Sequence, residues 1–198
     1  MAHQRDRALF FREFLRHPRQ IGSVVPSSGR LEQRVVNAGS IHRARSAVEL
    51  GPGTGGITRA ILGALPVGAA LLSLDINPVF CERLRRIGDP RLTIHCGSAL
   101  ELERVLDDHS LPPPDAVVAG IPFSTIDPGT GTEILRLIAR LLAPGGRFVS
   151  YQLRDTVSGL AEPILGRPHV ELELLSIPPQ RVFSWQKDGI GYSALSQQ

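Results

Sequence analysis

Cysteine, methionine, tryptophan, tyrosine and lysine are all scarce in this chain. Its 198 residues include two cysteines (Cys81 and Cys96), one methionine, one tryptophan and two tyrosines, and aromatic residues make up only 5%. Two thiols exclude a disulfide-stapled scaffold and suit a reduced compartment, and neither has the partner spacing of a zinc site. The six histidines (His3, His17, His42, His95, His109 and His169) fall in no metal-ligand spacing either, so no metal is expected. Long apolar runs are missing too. The longest stretch without a charge, Ala60 to Leu74, has 15 residues and is interrupted by Gly63, Pro66 and Gly68. A spanning helix needs about 20 apolar residues, so no segment is expected to cross a bilayer. No basic-then-apolar leader opens the chain, and a cytoplasmic location is the expectation. Repeats and low-complexity tracts are absent.

What remains is the composition of an ordinary folded domain: 42% hydrophobic, 21% charged, mean hydropathy +0.01. That excludes disorder and coiled coil, and the length suits one domain with a short appendage. Positive charge is concentrated at one end. Residues 1–45 carry nine arginines and three acids, a net of +6, whereas residues 46–198 carry a net of −3. A basic head on a mildly acidic body points to an anionic partner, a nucleic acid or a lipid surface. Lys187 is the one lysine among 22 basic side chains. The arginine fork suits phosphate.

Hydrophobic periodicity and turn residues place strands at Ser46–Leu50, Ala70–Asp75, Leu92–Cys96, Asp115–Ala119 and Arg147–Gln152. Helices are expected over residues 5–17, Leu31–Ala38, Gly55–Leu65, Pro78–Ile87, Ala99–Asp108, Thr132–Leu142 and Val157–Leu165. Two further strands, Val170–Ile177 and Arg181–Lys187, have no helix between them and should pair antiparallel. The expected fold class is therefore α/β: a mostly parallel, doubly wound sheet with a C-terminal antiparallel hairpin. Residues 1–45 read as an N-terminal covering segment and 46–198 as the domain proper.

The central motif is Val48-Glu49-Leu50-Gly51-Pro52-Gly53-Thr54-Gly55-Gly56, a buried strand running into glycines and then a helix. Glycines there permit a tight turn and close approach of backbone to a ligand, and Asp75 ends the next strand where an acid can take both hydroxyls of a ribose. The same glycines satisfy a dinucleotide pattern. Glu49 before the first glycine, the long segment before the first strand, and Pro144-Gly145-Gly146 leading into the fifth strand point elsewhere. Together these features resemble class I methyltransferases that use S-adenosylmethionine (SAM). The expected architecture is then a Rossmann-like seven-stranded domain. The resemblance implies that Gly51, Gly53 and Gly55 line the methionine part of SAM and that Glu49 orients its amino end. It implies that Asp75 binds the ribose, Ile76 flanks the adenine, and Ser98 and Ala99 meet the adenine edge. S-adenosylhomocysteine (SAH) is the implied product.

In an open parallel sheet the ligand lies beyond the carboxyl ends of the strands. After the fourth strand comes Gly120-Ile121-Pro122-Phe123-Ser124. This resembles the acceptor loop of amino-methylating enzymes, and it implies that Gly120 borders the cofactor while Ile121, Pro122 and Phe123 receive the amine. An aromatic face can hold a forming cation, which is the role expected of Phe123. Gly120 stands where adenine-N6 and many amide methylases have Asn or Asp. Tyr151 ends the fifth strand and so faces the site, where with Phe123 it is expected to border the acceptor amine, and Arg154 after it is placed to clamp a phosphate. Asp127-Pro128-Gly129 reads as a plain turn, and no general base is assigned.

The N-terminal run from Phe10 to Ser28 resembles the opening of soluble bacterial phospholipid N-methyltransferases, which methylate phosphatidylethanolamine toward phosphatidylcholine. At about 100° per residue, Phe10, Phe11, Phe14 and Leu15 share one helical face, while Arg5, Arg12, Arg16 and Arg19 gather opposite. Such a helix lies in a bilayer interface. The resemblance implies peripheral binding to the inner face of the cytoplasmic membrane, with Ser27 and Ser28 near the lipid phosphate. The expected partners are phosphatidylethanolamine and an anionic membrane, not nucleic acid, and the oligomeric state stays open. Three alternatives remain: a ribosomal-RNA adenine dimethyltransferase, a dehydrogenase, and a non-catalytic membrane-binding protein of the same fold.

Overall fold

The computed structural model describes residues 29–174 and 179–188. The helix expected over residues 5–17 lies outside the described residues. So do Arg5, Phe10, Phe11, Arg12, Phe14, Arg16, Arg19, Ser27 and Ser28. In chain order the elements are α1 (Gly29–Ala38), β1 (Ser46–Leu50), α2 (Gly56–Ala64), β2 (Ala70–Asp75), α3 (Pro78–Arg85) and β3 (Leu92–Cys96). Then follow α4 (Leu102–Asp108), β4 (Ala116–Ala119), α5 (Pro128–Leu141), β5 (Arg147–Gln152), α6 (Thr156–Leu165), β6 (His169–Glu173) and β7 (Gln180–Gln186).

The strands form one sheet in the order β3-β2-β1-β4-β5-β7-β6. Every pair from β3 to β5 is parallel, and β7 runs antiparallel to both β5 and β6. This is the α/β sheet with a terminal hairpin that the alternation of elements implies. β1 and β4 are buried at every residue, because helices cover both faces. One face carries Leu102, Val105, Ile134, Ile138, Val157 and Ala161 from α4, α5 and α6. The other carries Leu31, Val35, Ile57 and Ile61 from α1 and α2. Residues 29–45 thus contribute core side chains to the domain. Arg34 also ties α1 to the sheet edge, donating to Glu173 at 2.7 Å and to Glu171 at 2.8 Å.

Several boundaries differ from expectation. α5 starts at Pro128, not Thr132, because Asp127 is an N-cap whose Oδ2 accepts from the Thr130 N–H at 2.8 Å. Proline at the first helical position lacks only an N–H that would have gone unused. Asp127-Pro128-Gly129 is therefore a helix start, not a free turn. The helix expected from Ala99 begins as a 3-10 turn over Ala99–Glu101 before α4. At the far end, Lys187 donates through Nζ to the Leu142 carbonyl at 2.7 Å, so the chain's lysine caps α5.

Candidate active site

The parallel strands β1, β2, β4 and β5 bring their carboxyl ends to one edge of the sheet, where the candidate site lies. At its floor β1 delivers Glu49, which is wholly buried. Its Oε2 accepts from Thr58 Oγ1 at 2.7 Å and from Ser73 Oγ at 2.9 Å. Its Oε1 has no hydrogen-bond partner. Burial pushes the Glu49 carboxyl up to about 7, against the two hydroxyl donors, and the nearby Asp75 charge adds to the rise. A buried oxygen left bare is costly unless a ligand group meets it.

The turn after β1 is left-handed at Gly51 (φ +72°) and Gly53 (φ +54°), conformations that favour glycine. A Cβ on Gly51 would approach the Ile121 nitrogen to 3.3 Å, so this glycine lets the turn after β1 lie against the loop after β4. A Cβ on Gly53 would meet nothing within 4 Å. The turn there faces open space, and its N–H donates to Asp75 Oδ2 at 3.1 Å. Gly55 caps α2, and a Cβ on it would press the Leu84 side chain at 2.9 Å.

Asp75 ends β2, is 8% exposed, and accepts a second backbone N–H, from Asn77 at 2.8 Å, on Oδ1. Burial raises its pKa, and these two amides oppose the rise. Each oxygen keeps a further lone pair for a diol. Ile76, 53% exposed, stands beside it. Ser98 and Ala99 follow β3, and Ser98 Oγ accepts from the Leu100 N–H at 3.2 Å, so Ser98 is an N-cap at the site's edge.

The acceptor loop is fixed from β5. Gln152 donates through Nε2 to the Ile121 carbonyl at 2.9 Å, and Ser150 Oγ donates to the Ala119 carbonyl at 3.2 Å. Gln152 is a functional candidate that sequence reasoning missed. The register Ala119↔Ser150 sets Tyr151 beside Gly120. Ile121 and Pro122 are half-buried along the loop. Phe123 does not offer an open aromatic face to this site. Its ring is 1% exposed and packs in the core under α5, 3.4 Å from where a Cβ on Gly131 would sit. Arg154 is exposed beyond β5. Among the described residues, no group of three or more histidine, cysteine, aspartate or glutamate side chains is arranged to hold a metal ion, and no helix is long and apolar enough to cross a membrane.

A mostly parallel sheet closed by an antiparallel hairpin, with a glycine turn, a buried acid and a strand-end aspartate, is the arrangement of a class I SAM-dependent methyltransferase. Residues 47–146 match the methyltransferase domain family, and the chain belongs to it. An ornithine lipid N-methyltransferase from Singulisphaera acidiphila is 30% identical over 73% of this chain and 76% of its own length. A ribosomal RNA small subunit methyltransferase A from Parasynechococcus marenigrum is 31% identical over 74% of this chain, but the match spans only 47% of that relative. Among solved structures, the N-methyltransferase NodS from Bradyrhizobium japonicum bound to SAH has a TM-score of 0.68 at 13% identity, over 90% of this chain and 98% of that one. SAM is the cofactor and SAH the product. The residues present fit it: the bare Glu49 Oε1, the open turn at Gly53 and the free lone pairs of Asp75 are what an ammonium and a ribose require.

Proposed function

We propose that this methyltransferase N-methylates the primary amine of a membrane lipid headgroup, with phosphatidylethanolamine as the acceptor. The observation that carries this reading is the lipid N-methyltransferase relative, whose match covers about three quarters of both chains. The ribosomal RNA relative is matched over about half its length. Ornithine lipid and phosphatidylethanolamine share a primary alkylamine, so one site chemistry serves either.

Glu49 would hold the amino end of the cofactor and Asp75 its ribose, with Gly51, Gly53 and Gly55 lining it, Ile76 flanking the adenine, and Ser98 and Ala99 at the adenine edge. Bound SAM supplies an electrophilic methyl that passes to the amine nitrogen while the carbon–sulfur electron pair stays on sulfur. The acceptor amine is protonated near neutrality and must first release a proton to water. A dry crevice beside a sulfonium favours the neutral amine. Ile121 and Pro122 would border that amine through the loop they form, since their carbonyls already accept from Gln152, Phe123 and Thr125, and Arg154, Ser27 and Ser28 would face the headgroup phosphate. The first 19 residues, with Phe10, Phe11 and Phe14 opposite four arginines, would hold the protein on an anionic bilayer.

Label transfer from methyl-labelled SAM tests the reading. The acceptors are phosphatidylethanolamine vesicles, ornithine-lipid vesicles and small-subunit ribosomal RNA. Label in phosphatidylethanolamine is expected. Label in ornithine lipid alone would correct the substrate, and label in RNA alone would overturn the lipid reading.

A further inference from the structure

Two polar groups without a hydrogen-bond partner among the described residues lie near each other at the carboxyl end of the sheet. One is Glu49 Oε1. The other is the Tyr151 hydroxyl, which none of the hydrogen bonds among the described residues uses. The Tyr151 ring packs against the core on the α1–α2 face, the same face from which Glu49 reaches Thr58 of α2. Its hydroxyl then ends at the seam between β1, β4 and β5. The evidence for that position is Gly120. A Cβ there would collide with the Tyr151 hydroxyl, and it would come within 2.7 Å of the Gly51 carbonyl oxygen and 3.0 Å of Tyr151 Cζ. Position 120 is glycine because the hydroxyl and the cofactor turn already fill the space a side chain would take.

Resting on the amine-acceptor reading above, we propose that the Tyr151 hydroxyl is the group that receives the acceptor nitrogen, taking an N–H on its oxygen. It occupies the place a polar side chain at position 120 would otherwise fill. Three observations support this. The hydroxyl lies where the cofactor turn (Gly51) and the acceptor loop (Gly120) touch, so a group bound there sits between cofactor and substrate. It is a neutral oxygen and stays neutral: burial, with the Glu49 and Asp75 charges beside it, holds the phenol well above its ordinary pKa. A neutral oxygen can accept from the amine without becoming a competing nucleophile. Phe123, the other aromatic residue near the loop, is turned into the core and leaves this position to Tyr151.

The test compares the full-length protein with Tyr151→Phe, which keeps the ring and removes one oxygen. Two quantities are read: kcat/KM for the amine on phosphatidylethanolamine and ornithine-lipid vesicles, and SAM affinity by calorimetry. Loss of a hydrogen bond to an amine should lower kcat/KM about tenfold or more while SAM affinity stays within about twofold. Unchanged kcat/KM would overturn the inference. A fall in SAM affinity that matches the fall in activity would also overturn it, because the hydroxyl would then be a cofactor contact. If the wild-type protein labels RNA and neither lipid, the amine-acceptor reading fails and takes this inference with it.

Discussion

The backbone N–H of Gly53 donates to Asp75 Oδ2 at 3.1 Å, tying the glycine turn after β1 to the acid that ends β2. The turn and the strand-end acid are therefore one unit. If Asp75 holds the ribose of SAM as proposed, replacing it by Ala removes that contact and leaves the Gly53 N–H without its acceptor. SAM affinity should fall about tenfold to a hundredfold, the range for hydrogen bonds to a charged group. Calorimetry with SAM and with SAH reads this directly, and unchanged affinity would remove Asp75 from the site.

Glu49 makes cofactor binding depend on pH. Its ordinary value lies near 4.5, and burial pushes it up to about 7 in the fold. A carboxyl whose pKa is raised on folding contributes stability below the unfolded value and loses it as pH rises through the folded one. The cofactor-free protein should therefore lose stability between about pH 4.5 and 7. SAM, whose ammonium prefers the ionised carboxylate, should bind more tightly as pH rises through the same window. Melting curves with and without SAM across that range would show the two trends diverging. Glu49→Gln should flatten both, and a variant that kept the wild-type divergence would contradict the assignment.

Phe123 is a packing residue in this structure, so its truncation should act on stability. A fully buried phenylalanine replaced by alanine costs about 3–5 kcal/mol. Phe123→Ala should lower the denaturation midpoint, and lipid methylation should fall in step with the folded fraction. Loss of activity in a protein as stable as the wild type would instead return Phe123 to the acceptor site.

How much of this was legible in the sequence follows from where each constraint lies. Glu49, the glycines and Asp75 belong to strand–turn segments whose spacing is fixed locally, and every strand in the parallel part of the sheet was found within one residue. The start of α5 was missed because Asp127-Pro128 is the sequence of a turn and of a helix cap alike, and only the Thr130 N–H decides between them. The grip of Gln152 on Ile121 spans 31 residues and two strands, so no local pattern announces it. Tyr151 was legible as a strand-end residue facing the site, but its contact with Gly120 was not. The glycine was readable as a departure from an Asn or Asp, but its cause sits on another strand. Phe123 was misread for a related reason: the direction of its ring is set by packing beneath α5.

The N-terminal segment should decide membrane attachment. If they meet an anionic surface, Arg5, Arg12, Arg16 and Arg19 would contribute about 1 kcal/mol each, screened over about 8 Å at physiological salt. Flotation with anionic liposomes should rise with the anionic fraction, fall with salt, and keep a salt-resistant part from Phe10, Phe11 and Phe14. Deleting residues 1–17 should abolish flotation and lipid methylation while sparing SAM affinity. Equal flotation of both proteins, with activity on lipid retained, would contradict the assignment.

The central claim is methyl transfer from SAM to the amine of a lipid headgroup, and mass spectrometry of the lipid after incubation tests it most directly. Vesicles of phosphatidylethanolamine are incubated with the full-length protein and SAM, then extracted and fragmented. The expected result is a headgroup heavier by one or more CH2 units, the added mass retained on the nitrogen-bearing fragment, with SAH formed in equal amount. An unaltered headgroup, with SAH formed only when RNA is supplied, would contradict it.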